Sequence, residues 1–229
     1  QYVNDEYADV ISQHPSRFTA FASLPLPHID ESLQEMERAL ELPGFVGVAT
    51  TTTVQGIPIT NEQFAPIWDE LNRRSAVLYI HPAGEAVQSQ LIKEGPMTWM
   101  VGAPVEDTVS IVDMIINGIP SRYPHIKIIN SHLGGALPML LQRLDNQYQW
   151  EAPTTPNLPS IEAKKMWYDT VGHGHLPALL AAEASFGASQ LLFGTDFPYE
   201  NGTIFERAVS YITDSGLPQE SIDRIFHVN

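Results

Sequence analysis

The sequence predicts a parallel α/β fold. Three observations carry this prediction. Six short apolar, β-branched or aromatic runs are spaced along the chain, segments of helical periodicity separate them, and 43% of the 229 residues are hydrophobic, enough for one continuous core. The first run, Phe18 to Leu24, leads to a helix that Asp30 is placed to cap; Leu33, Met36 and Leu40 share one of its faces, and Pro43-Gly44 closes it. The second run is Phe45 to Thr50. After it, Thr60-Asn61-Glu62-Gln63 reads as a capping box for a helix through Trp68 and Leu71. The third run, Ala76 to Ile80, precedes a stretch from Gly84 to Pro104 that is too long for an ordinary βα loop. A helix from about Glu106, carrying Val109, Val112, Met114 and Ile116, then stops at Asn117-Gly118. The fourth and fifth runs are Ile126 to Asn130 and Met166 to Thr170. Before the fifth lies Pro153 to Ser160, whose three prolines favour extended backbone. Gln190 to Gly194 is the sixth run, followed by helices near Phe205 to Ile212 and Gln219 to Phe226.

Strand alternating with helix allows an open doubly wound sheet or a (β/α)8 barrel. No glycine fingerprint of the dinucleotide or phosphate-loop type follows the early runs. A barrel needs eight units, two more than are seen. The chain starts at Gln1 without an initiator Met and stops inside a helical segment, so it is expected to be a single domain, residues 1–229, incomplete at its N-terminus and slightly at its C-terminus.

Charge narrows the partners. Carboxylates outnumber Lys and Arg by 27 to 12, a formal charge of −15 that repels nucleic acid and anionic membrane surfaces at long range. No run approaches the roughly 20 apolar residues of a membrane span. Zero Cys excludes disulfides and thiolate metal sites and points towards a cytoplasmic setting; any metal must be held by His and carboxylates.

Three runs end in residues that carry chemistry. Ala76 to Ile80 ends in His81-Pro82, Ile126 to Asn130 in Ser131-His132-Leu133-Gly134-Gly135, and Leu191 to Gly194 in Thr195-Asp196-Phe197-Pro198. Parallel α/β folds build active sites at such carboxyl ends. One His there is more often a hydrogen-bonded structural residue. Two His and an Asp at equivalent ends form a ligand set for one divalent ion such as Zn or Mn.

With these pieces, the sequence resembles the metal-dependent amidohydrolase superfamily, in the branch of the aminocarboxymuconate semialdehyde decarboxylase. Further matching pieces are His14-Pro15-Ser16-Arg17-Phe18 with Ala22-Ser23-Leu24-Pro25, Gly44-Phe45-Val46-Gly47-Val48, and Ala136-Leu137-Pro138 with Arg143-Leu144-Asp145. The resemblance implies a TIM-type (β/α)8 barrel of which this chain holds strands three to eight, with a His-x-His strand expected upstream of Gln1. By family position, His81 and Asp196 are metal ligands, and His132, with Asp196, is the catalytic acid/base. Arg143 is implied to recognise a substrate carboxylate, in some members from a neighbouring subunit; pairing with Asp145 or Glu151 is the plainer alternative. Trp99, in the long stretch after the third run, is placed to line a site for a planar substrate, or else an interface or the core.

The implied activity is non-oxidative decarboxylation of a small aromatic or unsaturated carboxylic acid by a homodimer. A metal-dependent hydrolase of lactones or amides, and a non-catalytic α/β binding domain, are the alternatives. His173-Gly174-His175, a second His-x-His, follows the fifth run and reads as a loop or pocket rim. Surface or structural roles suffice for His14, His28, His125 and His227.

Overall fold

A computed structural model describes residues 1–85 and 87–229. Each of the six apolar runs forms a strand: β1 (Ala20–Ser23), β2 (Phe45–Thr51), β5 (Val77–His81), β6 (Lys127–Asn130), β7 (Trp167–Asp169) and β8 (Leu191–Leu192). All neighbours pair in parallel, in the order β1-β2-β5-β6-β7-β8. That order decides between the two architectures left open by the sequence. A doubly wound sheet reverses direction at a switch point, whereas strands laid down strictly in chain order make the wall of a TIM-type barrel. The short strands β3 (Thr53–Val54) and β4 (Ile57–Pro58) form a separate hairpin, turned by Gln55 and Gly56 at φ 52° and 76°.

Helices fill the connections. They are α1 (Tyr2–Gln13), α2 (Ile29–Leu40), α3 (Ala65–Arg74), α4 (Gln90–Glu94), α5 (Ala103–Ile116), α6 (Ile119–Arg122), α7 (Leu137–Glu151), α8 (Pro159–Ala163), α9 (Leu176–Phe186), α10 (Gly202–Thr213) and α11 (Gln219–Asp223). Their apolar stripes cover the sheet: Met36, Trp68, Leu71, Ile111, Met114, Ile115 and Leu179 are buried together with Val48, Leu78, Ile80, Ile128 and Leu191. Each such side chain contributes about 1.5–3 kcal/mol of burial free energy. Alternation along β5 turns Leu78 and Ile80 one way and Tyr79 and His81 the other, so the pleat itself carries His81 to the site face.

Several local expectations are corrected. His28, not Asp30, is the N-cap of α2, and Asp30 lies in its first turn. Thr60 does not open a capping box: its hydroxyl bonds Asp113, and Asn61 caps a short 3-10 turn by accepting from the Gln63 N–H. α5 starts at Ala103, before Glu106, and a π-type turn over Thr98–Gly102 feeds into it. The final helix is interrupted, with α11 continuing as a π-type turn over Arg224–Val228. α1 had no counterpart in the sequence reading.

Both outer strands are met by asparagine side chains. The buried Asn4 of α1 accepts from the Ser23 N–H through Oδ1 and donates from Nδ2 to the Ser23 carbonyl, both at 2.9 Å. At the other edge, Asn229 Nδ2 donates to the carbonyls of Leu191 (2.8 Å) and Ala188 (2.7 Å).

Candidate metal centre and active site

The ends of β5, β6 and β8 meet at one point. His81 is the last residue of β5, His132 follows β6 by two residues, and Asp196 follows β8 by four. One donor atom from each lies within 4.8 Å of the others. His81 Nε2 stands 3.9 Å from Asp196 Oδ1, and His132 Nε2 stands 3.9 Å from Asp196 Oδ2. The imidazole rings are 5.4 Å apart at 60°. The three residues are neither fully buried nor open, as a site that must admit a ligand requires.

Backbone geometry sets these directions. His132 (φ 54°), Leu133 (φ 55°) and Asp196 (φ 56°) all occupy the left-handed region, uncommon for residues with a Cβ and concentrated at functional sites. The His132 N–H donates to Asp169 Oδ1 at 2.9 Å, which anchors the bend. Asp169 is buried at 4% exposure in β7 and also accepts from Val171 N–H (3.0 Å) and the Tyr79 hydroxyl (2.8 Å). Burial pushes the Asp169 carboxyl up despite these donors and the nearby His132. Tyr79 is driven upwards too, by burial and the Asp169 charge.

Each imidazole is oriented from behind. His81 Nδ1 lies 3.1 Å from the Pro82 carbonyl, which leaves Nε2 as the lone-pair nitrogen facing Asp196. His132 Nδ1 lies 2.8 Å from Asp107 Oδ2. Asp107 was missed in the sequence, as was Asp169. Burial pushes Asp107 up, opposed by its bond to His132. Burial would lower His132, but its bonds to Asp107 and Asp196 outweigh this and push it up to about 10. Asp196 is held below the usual carboxylate range by the bond to His132, against its partial burial.

The donor chemistry fits a divalent ion. Two nitrogens and a carboxylate suit Zn or Mn, and bonds of about 2.0–2.2 Å let one ion bridge donors up to about 4.3 Å apart, against the 3.9 Å found between His81 and Asp196.

The remaining predicted residues lie outside this three-residue cluster. Trp99 is 64% exposed, and its ring packs over Gly84, three residues beyond His81; a Cβ on Gly84 would stand 3.1 Å from it. Trp99 is therefore neither core nor buried. Arg143 is exposed on α7 and forms no ion pair among the described residues, so pairing with Asp145 or Glu151 is not what holds it. His173 is exposed at φ 51° and pairs with the buried Glu200, while His175 is the N-cap of α9. Neither belongs to the three-residue cluster. No helix among the described residues is long and apolar enough to cross a membrane.

Comparison with known proteins agrees with this geometry. The chain is 30% identical over 208 residues to the 2-amino-3-carboxymuconate-6-semialdehyde decarboxylase of Dictyostelium discoideum, covering 89% of this chain and 57% of that protein. It is 32% identical over 225 residues to the 6-methylsalicylic acid decarboxylase of Penicillium expansum, covering 95% and 69% respectively. It superimposes with a TM-score of 0.84 and 25% identity on a dihydroxybenzoic acid decarboxylase from Polaromonas solved with bound manganese and the inhibitor 2-nitroresorcinol, covering 98% of this chain and 71% of that one. The chain thus spans 57% to 69% of the length of these curated relatives. The family match runs over residues 3–229 and takes in all six parallel strands and the three residues gathered at their ends: this chain belongs to the amidohydrolase family.

Proposed function

We propose that the protein containing this chain is a metal-dependent, non-oxidative decarboxylase of a small aromatic carboxylic acid. The observation that carries the proposal is the convergence of His81, His132 and Asp196 within 4.8 Å at the carboxyl ends of the parallel strands. Relatives that act on small aromatic or unsaturated acids, one of them with manganese bound, support the same reading. His81 and Asp196 would hold one divalent ion, Zn or Mn. When bound, that ion supplies Lewis acidity and a template for the substrate's oxygens.

The chain's own residues account for the proton. His132 Nε2 stands 3.9 Å from Asp196 Oδ2, beside the ion site, and is the proton donor to the ring carbon that bears the carboxylate. Protonation makes that carbon saturated, the carbon–carbon bond to the carboxylate breaks, and its electron pair returns to the ring as carbon dioxide leaves. Asp196 sits against both His81 and His132, and so links ion binding to proton transfer. Arg143, with paired N–H donors, is assigned to the substrate carboxylate, and Trp99 to one face of the planar ring. We place the enzyme in the cytoplasm as a homodimer.

The test uses the full-length protein. Carbon dioxide release from hydroxylated benzoic acids, with about one divalent ion per chain that is lost in the His81→Ala/Asp196→Ala double variant, is the expected result. Lactone or amide hydrolysis without carbon dioxide release would replace the decarboxylase with a hydrolase. No stoichiometric ion and unchanged stability of the double variant would sink the catalytic reading altogether.

A further inference from the structure

Asp107 is a buried acid behind the candidate site, on the far side of His132 from Asp196. It is 3% exposed on α5, and its two oxygens are both engaged: Oδ2 at 2.8 Å from His132 Nδ1, Oδ1 at 3.0 Å from the Ser131 hydroxyl. The helix that carries it is seated by its neighbour, because the Glu106 carboxylate accepts from the Ala83 N–H at 2.6 Å and binds the Thr52 hydroxyl. Residues 106 and 107 therefore grip the ends of three strands, β2, β5 and β6, from one turn of α5.

We propose that Asp107 is a positioning residue that keeps His132 Nδ1 in the donor role and so fixes the ring with Nε2 turned towards Asp196 and the site. The reasoning is one of donors and acceptors. Asp107 Oδ1 accepts from the Ser131 hydroxyl and Oδ2 faces Nδ1 at 2.8 Å, so the proton between Asp107 and His132 is placed on Nδ1. Nε2, the atom 3.9 Å from Asp196 Oδ2, is then the ring nitrogen left to face the site. Asp169 fixes the His132 backbone from β7 while Asp107 fixes the ring from α5, so two buried carboxylates on separate elements hold one imidazole. Neither acid touches the open side of the site.

This inference rests on His132 as the proton-transfer residue, and the test separates the two. Asp107→Leu, close in volume and without an acceptor, and Asp107→Asn, neutral but hydrogen-bonding, are made in the full-length metal-loaded protein. Both variants are expected to keep wild-type metal content and KM within about threefold while kcat falls about 10²- to 10⁴-fold, the range supplied by a positioned acid/base. In parallel, ¹⁵N-histidine NMR of the same proteins reads the ring directly. Wild type should show His132 Nδ1 protonated with a strongly downfield proton, and both variants should lose that signal. The NMR arm decides the matter even if no acid tried is a substrate. A folded Asp107→Leu or Asp107→Asn protein with an unchanged Nδ1–H signal, or a loss of activity explained by KM or lost metal, overturns the proposal.

Discussion

Asp169→Ala should be among the most damaging single changes outside the ion site. Its carboxylate, almost fully buried, accepts from His132 N–H, Val171 N–H and the Tyr79 hydroxyl at 2.8–3.0 Å, and truncation leaves all three donors without a partner in a cavity. Hydrogen bonds to charged groups contribute about 1.5–3 kcal/mol each; with water entering the cavity to satisfy part of the loss, about 3–6 kcal/mol should remain. In a protein of this size that lowers Tm by about 10–20 °C. Because burial already pushes the Asp169 carboxyl up, the charge is held at a cost. The neutral Asp169→Asn, which keeps one acceptor oxygen, should lose about half as much. Thermal unfolding by circular dichroism, repeated as a urea titration, reads both. An Asp169→Ala protein within about 2 °C of wild type, or an Asn variant less stable than the Ala one, would refute the reasoning.

Other outcomes follow from the same structure. A Cβ on Gly135 (φ 63°) would stand 2.1 Å from the Pro104 carbonyl oxygen, whereas at Gly56 (φ 76°) nothing lies within 4 Å. Gly135→Ala should therefore cost more than about 3 kcal/mol by urea midpoint, and Gly56→Ala only about 1 kcal/mol, the left-handed backbone penalty alone. Glu35 is held down to about 2, chiefly by its bond to Arg38. A depressed carboxylate contributes stability that is present above its unfolded pKa, near 4.5, and is lost as pH falls through about 2. Glu35→Gln should accordingly be less stable than wild type at pH 7, with the gap closing in urea titrations carried towards about pH 2. Arg143→Ala should raise KM for an aromatic acid about 10- to 100-fold, the worth of one charge-assisted contact, with metal content unchanged; an unaltered KM would remove Arg143 from substrate recognition.

The strands were legible because a strand buried in a parallel sheet is largely apolar, as Ala76 to Ile80 is throughout and Ile126 to Asn130 is apart from Lys127 and Asn130. Helix starts were less so. Asp30 and Thr60 are good capping residues by type, yet the chain direction entering α2 and α3 gives those positions to His28 and to the 3-10 turn at Asn61. His81, His132 and Asp196 stood out because polar residues ending apolar runs are conspicuous. Asp107 did not, since an acid in the first turns of a helix is ordinary macrodipole chemistry, and only packing of α5 against the turn that follows β6 turns it inward. Asp169 had a signal that could have been read: an acid inside the apolar run Met166 to Thr170 has to be satisfied by buried donors. α1 was hidden by its polar composition, its buried face reduced to Asn4 and Ile11.

The asparagines at the two sheet edges have a consequence of their own. A side-chain amide carries the same N–H donor and carbonyl acceptor as a peptide unit, so Asn4 against Ser23 imitates one rung of a neighbouring strand, and Asn229 covers Leu191 in half that manner. Unpaired edges are templates for the next chain that drifts by. At β1 the amide of Asn4 supplies both bonds to Ser23, and at β8 Asn229 is joined by the Ile225 carbonyl, which accepts from the Phe193 N–H at 3.0 Å. Side-chain amides and a loop carbonyl thus stand in for strand rungs at these positions, and two residues remote from the site fix the ends of the strands that build it.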